Sequence, residues 1–317
     1  MSSHARLEPL PISSDNAGAL AISRDGKRLV YTRESRNANI WAVDVPTGQT
    51  GTHATAAPRP FIVSSRSAAN PSFSPDGQKV AFQTGRSGWS EVWLADRDGS
   101  HARQLTDVKG TEAGFPNWSP DGTRILFHST KQSAARLFVV DVATARAHPL
   151  PYDAISDFMP SWSRDGRCIY FASRRTGNWQ IWKAPAEGGR ATQVTKNGGG
   201  RPLESAGGKF LFYMKLNNGL WRMPLSGGEE QQVLVEPMGG LVAPYALGRN
   251  KVYFVRKDRQ SIAVLNLANG KITAIAHTPR PVGLGLSVSP DERLLLYSQL
   301  DHVSSELMLV ENFSERN

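Results

Sequence analysis

The chain of 317 residues contains one cysteine, Cys168, so an internal disulfide and any cysteine-based zinc site are excluded. Cys168 sits in "RCIYF", a strand-like context, and reads as a small buried hydrophobe rather than a reactive thiol. No run of 18 or more apolar residues occurs, so no membrane-spanning helix is expected. The opening residues, "MSSHARLEPLPISS", lack the apolar core of a signal peptide, which leaves cytoplasm and periplasm both open. Signatures of catalysis are missing too. There is no G-x-S-x-G elbow, no P-loop and no dinucleotide fingerprint, and "NGGG" (197–200) is followed by no Lys-Ser/Thr and no helix. The seven histidines form neither H-x-H nor H-E-x-x-H. Only His277 and His302 fall in loops expected on a ligand face, too few for a metal site. No cofactor, metal or catalytic residue is expected on these grounds.

What the chain has is repetition. Glycine (29) and proline (20) are frequent, 39% of residues are hydrophobic, and the net charge is +9. The segments "GKRLVY", "GQKVAF", "GTRILF", "GRCIYF", "GKFLFY", "RNKVYF" and "ERLLLY" begin at Gly26, Gly77, Gly122, Gly166, Gly208, Arg249 and Glu292. A second apolar block follows each: "NIWAVD", "EVWLAD", "RLFVVD", "QIWKAP", "GLWRMP", "SIAVLN", "ELMLVE". A third precedes each turn, as in "NPSFS", "FPNWS", "MPSWS" and "RPLES", and a fourth follows, as in "ARQLT" and "ATQVT". These blocks are short and rich in aromatic and branched residues, with turn residues between them, which is the signature of strands. The recurring Ser-x-Asp-Gly folds one strand onto the next, because glycine accepts a positive φ at little cost. Asp25, Asp76, Asp121, Asp165 and Asp291 belong to these turns, as do Asp96 and Asp98 in "ADRDGS"; the spacing of a calcium loop is absent.

Four strands per unit, repeating every forty-odd residues, predict an all-β fold: a seven-bladed β-propeller of four-stranded antiparallel blades. The blades fall at about 18–63, 70–106, 115–151, 159–195, 201–235, 242–276 and 285–313, in a single domain of residues 1–317. The last unit lacks a fourth strand and residues 6–13 are spare. The N-terminal strand is therefore expected to complete the last blade and close the ring, leaving no long open edge.

The pattern "PSFSPDGQKVAFQTGRSGWSEVWLADRDGSHARQLT", from Pro71 to Thr106, resembles the WD-like repeat of TolB-type propellers. The likeness extends over about residues 7–313. The start, "LAISRDGKRLVYTRESRNANIW", and the end, "VGLGLSVSPDERLLLYSQLD", are similar to the propeller half of bacterial winged-helix transcriptional regulators, notably of acidobacterial type. In such regulators the propeller follows a DNA-binding domain, often across a membrane span. No helix-turn-helix pattern stands ahead of the repeats here, so the resemblance implies an excised sensor half or a stand-alone relative. It implies recognition of a protein or ligand, and fold likeness alone does not imply catalysis.

In a propeller the loops joining strands two and three, and those joining one blade to the next, open on one face around the central channel. Here those loops carry more Lys and Arg than Asp and Glu, as in "SSRSAAN", "TGRSGWS", "SRRTGNW", "KNGGGR", "TRESRNAN" and "VRKDRQ". A basic mouth suits a small anionic ligand or an acidic protein surface. The candidate contact residues are Arg66, Arg86, Arg174, Arg175 and Arg201, with Trp89 and Trp179 beside them as contacts or as packing anchors between blades.

The leading expectation is a monomeric, non-enzymatic binding or sensor module. The alternative is a carbohydrate-active lyase or hydrolase acting on an acidic substrate, for which Asp157, Glu112, His277 and Arg201 are the loose candidates. Direct binding of nucleic acid ranks last, because neither a recognition helix nor a stacking platform is evident.

Overall fold

The computed structural model describes residues 17–46, 56–108, 112–131, 134–153, 155–216, 218–235 and 240–311. These are all β apart from one short 3-10 turn, Gly240–Val242. They fall into two compact units, residues 38–300 and a smaller one drawn from both chain ends, before residue 38 and after residue 300.

The larger unit contains five four-stranded antiparallel sheets in simple meander order. The first comprises Ala68–Phe73, Lys79–Thr84, Glu91–Asp96 and Arg103–Gln104. The second comprises Glu112–Trp118, Arg124–Lys131, Ala134–Asp141 and Ala147–Pro149. Asp157–Trp162, Cys168–Thr176, Asn178–Pro185 and Thr192–Gln193 make the third. Gly200–Glu204, Phe210–Met214, Leu220–Pro224 and Gln231–Leu234 make the fourth. Tyr245–Leu247, Lys251–Val255, Ser261–Asn266 and Ile272–His277 make the fifth.

A sixth sheet joins the two ends of the chain. Val282–Val288 pairs with the long strand Leu294–Glu311, which pairs with Arg28–Asp44, which pairs with Arg59–Ile62; Ala17–Ile22 adds to Arg28–Asp44. Here the structure corrects the expected count. The described residues form six sheets rather than seven, because the first and last repeats share one. "TRESRNAN", read as a loop between two strands, lies inside Arg28–Asp44. "SQLDHVSS" likewise lies inside Leu294–Glu311. Neither stretch contains a glycine to turn on, and each chain end supplies the edge that the other needs. The expected closing strand, residues 6–13, lies outside the described residues.

In the five meander sheets the centre of the second strand, as at Val80–Phe82, Ile125–Phe127 and Ile169–Phe171, is buried on both faces, which is why these residues are continuously apolar rather than alternating. Six apolar clusters fill the spaces between successive sheets. Val92 and Leu94 meet Ile125 and Phe127. Leu137 and Val139 meet Ile169 and Phe171. Tyr170 and Ile181 meet Leu211 and Tyr213, and Phe212 and Met214 meet Val252 and Phe254. Tyr253 and Ile262 meet Val43, Leu295 and Tyr297; Ile40, Ile62 and Leu296 meet Val80 and Phe82. Polar ties cross the same spaces. Glu204 accepts from the Arg164 amide at 2.8 Å and from the Tyr170 hydroxyl at 2.8 Å. Arg97 reaches Asp291 at 2.6 Å.

The Ser-x-Asp-Gly turn has one chemistry throughout. Ser74 Oγ donates to Asp76 at 2.6 Å and accepts from the Lys79 amide at 2.9 Å, while the Gly77 amide donates to the Ser74 carbonyl at 2.9 Å. Gly77 has φ +69°, which a side chain would resist. The same bonds recur at Ser23, Ser119, Ser163 and Ser289. Where Gly is replaced by Glu292, φ is still +55°.

The smaller unit contains the hairpin of Ala17–Ile22 on the start of Arg28–Asp44, with Ala21 opposite Val30 and Ile22 opposite Leu29. Arg33 pairs with Glu306 at 2.5 Å. Leu20, Ile22, Val303, Leu307 and Leu309 are exposed there.

Candidate functional site

The first strands of all six sheets line one cavity of about 470 Å³. Four lining residues, Asn70, Phe115, Met159 and Arg201, hold equivalent positions in their sheets, matched in the other two by Ala243 and Gly285. Five of the six begin an X-Pro pair in the sequence. Five also sit at positive φ: Asn70 (+49°), Phe115 (+53°), Met159 (+51°), Arg201 (+51°) and Gly285 (+97°). In each of those five sheets the register between first and second strand slips at this point. A bulge re-aims a side chain, and a non-glycine residue held left-handed stores strain of about 1 to 3 kcal/mol. Gly285 is required on a second count, because a Cβ there would lie 2.5 Å from Asn70 Cα.

Arg201 is the cation of this set. Its Nη1 is buried and has no hydrogen-bond partner among the described residues. The guanidinium lies 5.8 Å from the Phe115 ring and 5.9 Å from the Tyr245 ring. Burial brings its pKa down to about 10, with Tyr245 acting the other way, so it remains charged at neutral pH. Tyr245 is itself fixed by donating to the Arg201 carbonyl at 2.6 Å.

A chain of rings runs on from Arg201. Phe115 is 5.4 Å from His128, His128 is 5.1 Å from Phe158, and Phe158 is 5.7 Å from Trp179. Arg174 stands over Trp179 at 5.6 Å. Burial pushes the His128 pKa down to about 4, so its ring is neutral at pH 7, and its Nδ1 has no partner among the described residues. Gly114 makes this approach possible, since a Cβ there would lie 2.7 Å from Gln83 Oε1 and 3.2 Å from His128 Cε1. Gln83 in turn accepts from Asn70 Nδ2 at 3.0 Å.

The expected contact residues separate into three groups. Arg201, Arg174 and Trp179 are linked by the ring chain. Arg66 and Trp89 are exposed, Trp89 at 53%. Arg175 belongs to the framework: it grips the buried Asp157 at 2.8 and 3.0 Å, Asp157 also accepts from Tyr152 at 2.9 Å, and Arg175 lies 4.7 Å over Trp182. Arg86 bonds the Val63 carbonyl at 3.3 Å and packs over Phe82 and Trp93. Asp157, considered as an acid or base, is sequestered by these partners, while Glu112 and His277 are exposed. His128 escaped the sequence reading, which placed only His277 and His302 on this face. Among the described residues no group of three or more His, Cys, Asp or Glu could hold a metal ion, and no helix is long and apolar enough to cross a membrane.

Four-stranded sheets packed face to face around a shared cavity define a β-propeller. The model of the TolB beta propeller domain matches residues 13–157 and 114–236, more than half of the chain, and the chain belongs to that family. No curated protein sequence matches it. Among solved structures it is similar to TolB from Acinetobacter baumannii, at 17% identity and a TM-score of 0.59, over 84% of this chain and 65% of that one. The chain thus spans less than two thirds of that TolB. A chain of the nidogen/laminin complex matches at 10% identity and a TM-score of 0.57, over 84% of this chain and 100% of that one. An oligogalacturonate lyase in complex with manganese matches at 13% and 0.51, over 84% and 99%. At these identities the likeness is one of fold.

Proposed function

We propose that the chain is a non-enzymatic binding module that recognises a small anionic ligand or an acidic protein surface at the channel mouth. One observation carries this reading. Two guanidiniums, Arg201 in the cavity lining and Arg174 at the far end of the ring chain, stand over aromatic rings, and neither is in an ion pair among the described residues. Cations left unpaired beside rings are poised for an anion and for the apolar surface that accompanies it. The resemblance to the propeller halves of winged-helix regulators suits a sensor whose occupancy is reported to another domain. The alternative, an enzyme acting on an acidic polysaccharide, needs acid and base groups converging at the mouth, and the framework role of Asp157 removes one of its few candidates.

The test is a thermal-shift screen of divalent metals, acidic and neutral peptides, acidic sugars, nucleotides and short DNA, with and without EDTA. A ligand at 100 times its dissociation constant adds about 2.7 kcal/mol. Stabilisation by anionic compounds, reduced in Arg174→Gln, with no turnover of polyuronate, is the expected result. Stabilisation confined to metals, or turnover of an acidic sugar, contradicts the reading.

A further inference from the structure

We propose that the channel mouth is a carboxylate subsite: Arg201 receives the carboxylate of an organic monoanion whose hydrocarbon body lies against Phe115, Met159 and Tyr245. The inference deepens the function proposed above and rests on it.

Arg201 differs from three other cations of the larger unit, each of which is held in an ion pair. Arg175 has Asp157 at 2.8 Å, Lys215 has Glu230 at 2.6 Å, and Lys251 has Glu292 at 2.9 Å. Among the described residues Arg201 has no acid, and Tyr245, which also acts on it, is held neutral by burial. Burying a charge without a counter-charge is costly, so such a group is retained where an anion completes it. A guanidinium has a planar fork of N–H donors that fits a carboxylate with two parallel bonds.

Besides Arg201, the lining residues Asn70, Ser161 and Trp162 each carry a buried polar atom without a partner among the described residues. Asn70 Oδ1 is buried without a partner among the described residues, and Asn70 lines the same cavity. It provides an acceptor for an O–H or N–H elsewhere on the ligand. Phe115, Met159 and Leu286 contribute apolar wall to the cavity, alongside polar residues such as Ser72, Asn117 and Ser161. The apolar part of the lining suits a hydrocarbon body beside the carboxylate. A volume of about 470 Å³ admits a ligand of modest size.

The experiment follows the melting of the full chain with benzoate and hexanoate, their neutral amides, inorganic phosphate, and a glutamate-rich peptide. It compares wild type with Arg201→Met, Arg201→Lys and the distant control Arg190→Gln. Benzoate and hexanoate should raise the midpoint with increasing concentration and the amides should not. Arg201→Met should lose the response, Arg201→Lys should keep part of it, and Arg190→Gln should respond as wild type. Unliganded Arg201→Met should melt at or above the wild-type temperature, because an uncompensated cation has gone. A purely structural arginine would show the reverse. A peptide response lost in Arg201→Met would also support the subsite and identify a side-chain carboxylate as the source.

Equal response to acids and amides, an unchanged response in Arg201→Met, or stabilisation by phosphate alone would overturn the inference. Peptide binding that depends on Arg174 and ignores Arg201 would overturn the subsite while leaving mouth-face recognition standing. No response to any anion would overturn both.

Discussion

Two adjacent arginines, Arg174 and Arg175, look alike in "SRRTGNW" and have different work. Asp157 is fully buried, so removing Arg175 strands a carboxylate without its counter-charge. Arg175→Ala should cost about 3 to 5 kcal/mol in urea unfolding. Arg174 is exposed, and Arg174→Ala should cost under about 1 kcal/mol. His128 gives a pH signature. Its folded pKa of about 4 lies below the ordinary 6.5, so the stability it contributes is present above about pH 6.5 and lost as the pH falls through 4. The loss is roughly 3 kcal/mol, and His128→Phe should abolish it in melts taken across that range. The sequence showed the residue types of the site but not their grouping. Arg201 was legible as a basic residue in an inter-blade loop. The set it belongs to was legible in principle, as the residue before proline in "NPSFS", "FPNWS", "MPSWS", "RPLES" and "APYAL". His128 lies within a strand, and only the close approach at Gly114 brings its ring to the mouth.

At the scale of the element, the Ser-x-Asp-Gly turn is the most legible feature, because its serine, aspartate and glycine each answer a separate geometric need. The hydrogen bond from Ser119, then the Thr123 amide, draws the Asp121 carboxyl down to about 2. Asp291 is drawn to about 2 by Ser289 first, and Asp25, Asp76 and Asp165 are lowered by the serines of their own turns. A depressed carboxyl stabilises the fold above its unfolded pKa and loses that effect as the pH falls through the folded value. Acid unfolding should therefore steepen between about pH 4 and pH 2. Asp121→Asn should flatten part of that slope in midpoints measured over the same interval. The long strands were not legible. The blocks "LVY" and "NIWAVD" look like two strands of a hairpin, and periodicity does not reveal that both belong to the one strand Arg28–Asp44.

At the scale of the whole molecule, the missed count has one cause. Repeat spacing reports how often a strand recurs and is silent on which strands pair. The sixth sheet takes Val282–Val288 and Leu294–Glu311 from the end of the chain and Arg28–Asp44 and Arg59–Ile62 from its beginning. Its core faces, Leu294 and Leu296 with Ile40 and Ile62, exist only when both ends are present. A chain ending at residue 290 should lose its single cooperative transition in calorimetry, although five sheets remain intact in sequence. In this reading the cavity lined by the six first strands receives an anion at Arg201. Anomalous diffraction from crystals soaked in 4-bromobenzoate tests it most directly. The account predicts a bromine peak inside the cavity, beside Phe115 and Met159, with the carboxylate on Arg201. Bromine found only outside the cavity, or within it but with the carboxylate turned away from Arg201, would contradict it.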